Sequence, residues 1–187
     1  HSEATTGYNY FGFNGYVYFM AEDGLNSFEL WKTNGTEAGT VMVKDINAGS
    51  PGSSPQNFCE YNGNLYFMAS GTGTGPELWR TNGTEAGTVL VKDIFTGSSG
   101  SLPQNLMVVN NVLYFSAIGG TAGNRELWKS DGTAAGTVLV KDINPGNAAS
   151  NPAIFFNYNN TLYFTATTAA EGVELWKSGG TVAGTVL

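Results

Sequence analysis

The chain has 187 residues, one cysteine, and 8 Lys+Arg against 15 Asp+Glu, for a formal net charge of −7. That balance excludes a nucleic-acid or anionic-membrane surface, which needs clustered cations to displace counterions from phosphate. The lone Cys59 excludes an internal disulfide, and no apolar run reaches the roughly 20 residues of a membrane-spanning helix.

Charged residues are sparse at 12%, glycine is frequent at 26 residues, and Ser, Thr and Asn are abundant. The composition predicts a turn-rich β protein with a neutral polar surface, as secreted domains have. The opening HSEATTG lacks an initiator Met, so a longer precursor is expected.

Taken in chain order, the first unit predicts strands at 10–13 (YFGF), 16–21 (YVYFMA), 29–33 (ELWKT) and 40–46 (TVMVKDI). Asn14-Gly15 joins the first two strands. Asn and Gly tolerate the positive φ that a two-residue hairpin turn requires. A middle loop, EDGLNSF at 22–28, follows the second strand, and a linker at 47–57 leads out. The second unit repeats this order with strands at 58–61, 64–70, 77–81 and 88–94, its turn at Asn62-Gly63 and its linker at 95–105. The third places strands at 106–109, 112–117, 126–130 and 137–143, with Asn110-Asn111 between the first two. After a linker at 144–153, the fourth places them at 155–158, 161–166 and 174–178, with Asn159-Asn160 as its turn and 185–187 as a shortened last strand. These runs are rich in Val, Tyr, Phe, Trp and Thr, which suit a pleated surface, and none has a 3.6-residue apolar period.

The units are copies of one another. Glu-Leu-Trp begins at 29, 77, 126 and 174, and a V/L-Tyr-Phe triplet ends ten or eleven residues before each. Adjacent apolar residues such as Leu78-Trp79 point to opposite faces of a strand, so each sheet lies between two layers. A four-stranded antiparallel sheet, apolar on both faces and repeated about every 48 residues, predicts an all-β fold, a β-propeller with one blade per unit. The units span 8–46, 56–94, 104–143 and 153–187 of one propeller over 1–187. Four units fit a four-bladed ring, half of an eight-bladed ring, or a piece of a larger array. Neither end has a spare strand to clasp the ring, so closure needs face-to-face packing, self-association or further repeats.

ELWKSDGT at 126–133 resembles the signature of the bacterial ELWxxDGT repeat family. The other copies depart from it at Asn34, Asn82 and Gly179. The resemblance covers nearly all of 8–187. It implies propeller-like blades of large secreted or surface proteins, and it carries no activity or catalytic residue.

Trp31, Trp79, Trp128 and Trp176 read as interblade packing in preference to sugar-stacking platforms, because every unit repeats them. Glu29, Glu77, Glu126 and Glu174 read as structural carboxylates, held in an ion pair or by backbone bonds. A catalytic pair is rarely copied four times. The Asn34, Asn82 and Asn159 sequons read as turn chemistry, and Asp131-Gly132-Thr133 lacks the acids of a calcium loop. His1 is the only histidine, which removes Ser-His-Asp and histidine-metal designs. Cys59 reads as a small buried apolar residue. GTGTG at 71–75 lacks the Lys-Ser/Thr ending of a phosphate loop. No enzyme activity, cofactor or metal is expected.

The copies diverge in their middle loops (22–28, 70–76, 118–125, 167–173) and in their linkers. In an up-and-down blade these emerge at one end, where loops on a rigid scaffold carry recognition. The expected function is a secreted or surface binding or adhesion module for a protein or carbohydrate ligand, with Asp23, Asn26, Arg125 and Glu171 as contacts. A structural spacer and a lectin with equal sites between blades are the alternatives.

Overall fold

The computed structural model describes residues 10–49, 51–119 and 123–187. His1, the start of the first unit, and positions 120–122 of the third middle loop lie outside the described residues. Among the described residues, sixteen strands form four sheets, each antiparallel and each in sequence order. The first holds β1 (Phe11–Phe13), β2 (Tyr16–Ala21), β3 (Glu29–Thr33) and β4 (Val41–Lys44). The second holds β5 (Gln56–Tyr61), β6 (Asn64–Gly71), β7 (Gly75–Thr81) and β8 (Val89–Lys92). The third holds β9 (Gln104–Val109), β10 (Val112–Gly119), β11 (Asn124–Ser130) and β12 (Val138–Lys141), and the fourth β13 (Ala153–Tyr158), β14 (Thr161–Thr168), β15 (Gly172–Ser178) and β16 (Thr185–Val186).

The hairpin turns follow the chemistry of their sequence. Asn14 and Gly15 lie at φ 50° and 76°, and Asn110 and Asn111 at 47° and 57°. Both central residues are left-handed, the form whose twist matches the flanking strands. Asn pays more than Gly for that region. Asn111→Gly is therefore expected to raise stability by about 0.5 kcal/mol, measured by urea denaturation.

The fourth strand of each complete sheet is shorter than its apolar run. Leu30 pairs with Lys44 but Trp31 with Met42, so Val43 is an extra residue, a β-bulge. The same shift occurs in the second and third sheets. The bulge turns Val43, Val91 and Val140 into the core and ends the strand at the lysine that follows each. A second irregularity lies in the first strand of the later sheets. Asn57 and Asn105 take φ 59° and 57°, and their side-chain Nδ2 groups donate to the carbonyls of Pro103 and Pro152, just before the next sheet. The matching position in β13 is Ile154, at φ 53°. A β-branched residue there stores roughly 1–3 kcal/mol of strain.

The core is three interfaces between successive sheets. Leu30 and Tyr18 of the first face Leu65, Phe67 and Trp79 of the second. Leu78 and Tyr66 of the second face Leu113, Phe115 and Trp128 of the third. Leu127 and Tyr114 of the third face Leu162, Phe164 and Trp176 of the fourth. Three of the four tryptophans thus wedge against the preceding sheet, as packing requires. Trp31 lies on the outer face of the first sheet and is only half-buried. No hydrophobic cluster of the described residues joins the fourth sheet to the first.

Candidate binding face

At one end of the sheets, a buried carboxylate organises each linker. Glu77 is fully buried at the start of its motif in β7. It accepts from the amides of Ile94, Phe95 and Ser101 and from the Ser101 hydroxyl. Glu126 accepts from the amides of Ile143 and Ser150 and the Ser150 hydroxyl, and Glu29 from the amides of Ile46 and Asn47 and the Ser53 hydroxyl. Of the two structural roles the sequence left open for these glutamates, the carboxylate-to-backbone bond is the one formed. Burial pushes the Glu77 and Glu126 carboxyls above the ordinary range, and the donors pull them part of the way back. Glu174, the matching residue of the fourth sheet, is exposed.

The lysines of the motifs cross to the next sheet. Lys44, Lys92 and Lys141 donate to the carbonyls of Thr88, Thr137 and Thr185.

The serines that cap the carboxylates also stitch sheets together. The Ser53 amide donates to Phe28 O at 2.9 Å, and Ser53 O accepts from the Ser70 amide of the next sheet at 2.8 Å. Ser101 and Ser150 accept from the amides of Ile118 and Thr167 in the same way. Linker and middle loop therefore share one rim. Thr72 donates to Asn47 Oδ1, and the Ala169 amide to Asn144 Oδ1, across that rim. These serines were not among the sequence candidates. Their signal was a constant offset of 24 residues from each Glu.

The four middle loops differ in kind. In the second, third and fourth sheets the strands run on to Gly71–Gly75, Gly119–Asn124 and Thr168–Gly172, and in the second and fourth this leaves short turns where longer loops were expected. Among the described residues, the first alone keeps a free loop, between Ala21 and Glu29. Within it, Asp23 accepts from the Leu25 amide at 2.9 Å, the Asn26 amide at 2.7 Å and the Asn26 side chain at 3.1 Å. The Asn26 amide is the main cause holding the Asp23 carboxyl below its usual range. Asp23 and Asn26 thus form one exposed acidic turn.

The other two candidates stand apart from that turn and from each other. Glu171 is exposed at the fourth turn, its amide donating to Thr168 Oγ1. Arg125 belongs to β11. Its guanidinium donates to Leu102 O at 2.9 Å and Ser116 O at 3.1 Å, which commits it to the scaffold.

The opposite end is built from local hydrogen bonds. Asn34 Oδ1 accepts from the Thr36 amide and hydroxyl, and Thr36 Oγ1 accepts from the Gly39 amide. Asp131 and Thr133 repeat the arrangement, and the Thr133 hydroxyl is the first cause of the lowered Asp131 carboxyl. Among the described residues no group of three His, Cys, Asp or Glu converges as metal ligands. Cys59 is half-buried in β5, where burial pushes its thiol up to about 11 and keeps it protonated at neutral pH.

No protein-family model matches the chain, and no curated protein matches it. Among solved structures it is similar to a prolyl endopeptidase, from work on inter-domain dynamics in catalysis and specificity, with a TM-score of 0.57 and 10% identity. That match covers 91% of this chain and 24% of the other. An α-L-arabinofuranosidase of Clostridium thermocellum matches at 14% identity and TM-score 0.42, over 96% of this chain and 70% of that one. An endo-arabinase of Bacteroides thetaiotaomicron matches at 13% and 0.42, over 91% and 73%. The prolyl endopeptidase match is a likeness of fold, and the sheets are the blades of a β-propeller.

Proposed function

We propose that this chain is a non-catalytic binding or adhesion module of a secreted or surface protein, built from ELWxxDGT-type blades, that recognises its ligand on the loop rim. One observation supports the reading above others. The same buried carboxylate fixes the base of each loop in three successive blades, while the loops it holds differ from copy to copy. A scaffold that is invariant below and variable above is how recognition surfaces are commonly made.

The first middle loop is the centre of that surface. It is the longest, it is exposed, and it presents the preformed Asp23–Asn26 turn. A preformed turn loses little conformational entropy on binding. Glu171 lies on the same rim. Arg125 acts by holding the third blade's edge.

The test is a glycan and protein array probed with the intact chain and with a variant in which residues 22–28 are replaced by a Gly-Ser loop of equal length. The expected result is a ligand whose affinity falls at least about tenfold on replacement, or roughly 1.4 kcal/mol. Substitutions at the opposite end, such as Glu37→Ala, are expected to leave affinity unchanged. Binding that survives replacement of the loop refutes the assignment.

A further inference from the structure

We propose that the open face of the fourth blade docks on the open face of the first blade of a second copy, head to tail, so that two chains close one ring of eight blades.

The three internal junctions share one anatomy. On the donor side, Lys32 and Lys129 reach across to Gly83 O and Gly180 O at 2.7 Å. The hydroxyls of Tyr18, Tyr66 and Tyr114 abut the glycines of the next blade's turn. A Cβ built on Gly83, Gly132 or Gly180 would lie 2.4, 2.3 or 2.5 Å from them. The Tyr61 hydroxyl donates to Asn111 O at 3.0 Å. A leucine at the centre of this side, Leu30, Leu78 or Leu127, is wholly covered.

Both halves of that junction recur in the fourth and first blades, without a partner among the described residues. The fourth blade carries the donor half. Leu175 stands where Leu127 does, yet is 61% exposed, and Tyr158 is 57% exposed. Lys177, at the position of Lys32 and Lys129, is exposed as well. Ile154, Phe156 and Tyr163 complete an apolar groove of about 440 Å³ with Tyr158 and Leu175. The first blade carries the acceptor half. Val17 is 40% exposed where Leu65, Leu113 and Leu162 are fully buried. Gly35, at the turn position of Gly83, Gly132 and Gly180, has nothing within 4 Å of where a Cβ would stand.

Donor half and acceptor half fit each other and not themselves. Pairing two fourth blades would set Lys177 against Lys177 and leave Gly35 unfilled. The contact is therefore heterologous, and such contacts either close as rings or run on as filaments. Two four-bladed chains make eight blades, within the usual range for propellers, and three would exceed it.

Light scattering on the 187-residue chain across a dilution series tests this. The expected mass is twice that of one chain at the upper concentrations. Val17→Asp and Leu175→Asp alter exposed positions on opposite halves, and each alone is expected to be monomeric with an unchanged circular dichroism spectrum. An equimolar mixture of the two retains one good donor half and one good acceptor half, and is expected to restore a 1:1 complex. Ile154→Asn, which relieves a left-handed isoleucine, is expected to raise the melting temperature of dilute protein while shifting the dimer midpoint at least about tenfold upward. A wild type that stays monomeric, single variants that stay dimeric, or a mixture that fails to associate overturns the proposal. In the first case the faces belong to some other occupant, and in the second the contact lies elsewhere.

Discussion

Glu77→Gln is expected to lower the unfolding free energy by about 2 kcal/mol, read from urea denaturation. The carboxylate of Glu77 receives four donors, two on each oxygen. A glutamine keeps one oxygen and turns an amide group on the other pair. The Ser101 hydroxyl can turn and accept from that amide group, so one buried donor, the Ile94 amide, loses its acceptor, at roughly 1–3 kcal/mol. In a chain of this length that corresponds to a fall in melting temperature of roughly 4–8 °C. Glu174→Gln makes the control. The residue type and strand position are the same, but the side chain is exposed, and the expected change is within about 0.5 kcal/mol. Equal losses at both positions would show that the linker bonds contribute nothing.

The same pair of proteins gives a pH test. Burial raises the Glu77 carboxyl above the ordinary range, so the folded state holds that proton more tightly than the unfolded chain does. Its contribution is complete below the unfolded pKa and is lost as pH rises through the raised folded pKa. The stability gap between wild type and Glu77→Gln should therefore narrow from pH 4 upward. The neutral form is accommodated because the protonated oxygen can donate to the Ser101 hydroxyl, 2.5 Å away.

What the sequence disclosed follows from what is local. Asn-Gly and Asn-Asn pairs name their own turn, because positive φ at two adjacent residues admits few alternatives. Strand positions were legible from β-branched and aromatic runs, and the repeat period showed that the sheets are blades. The roles that stayed hidden depend on partners distant in the chain. Val43 looks like any other strand residue. Its extra place in the register becomes visible only when Leu30 and Trp31 are paired. Ser53, Ser101 and Ser150 sit in linkers that vary around them, and nothing next to each serine marks it as the cap of a buried acid. Arg125 read as a loop residue because its blade's strands continue past the repeated motif. The state of the two ends was least legible of all. A repeat spells each copy alike, so Leu127 and Leu175 are indistinguishable in sequence and differ only in what lies over them.

Leu127→Ala and Leu175→Ala turn that difference into a measurement. Leu127 is wholly buried among Tyr114, Leu162, Phe164 and Trp176, and its truncation leaves a cavity between the third and fourth blades. The expected loss is about 2–5 kcal/mol. Leu175 occupies the same place in its strand, pairing with Thr165 as Leu127 pairs with Ser116, but no blade covers it. In dilute protein its truncation should change stability by less than about 0.5 kcal/mol. The two values must also respond differently to concentration. A partner that binds only the folded chain adds stability in proportion to the logarithm of its free concentration over the dissociation constant. A head-to-tail dimer therefore makes Leu175→Ala progressively more costly as the protein is concentrated, while the extra cost of Leu127→Ala stays fixed by its own cavity. If Leu175→Ala costs as much as Leu127→Ala even in the most dilute sample, the fourth blade is already covered within one chain. The four blades would then close on themselves.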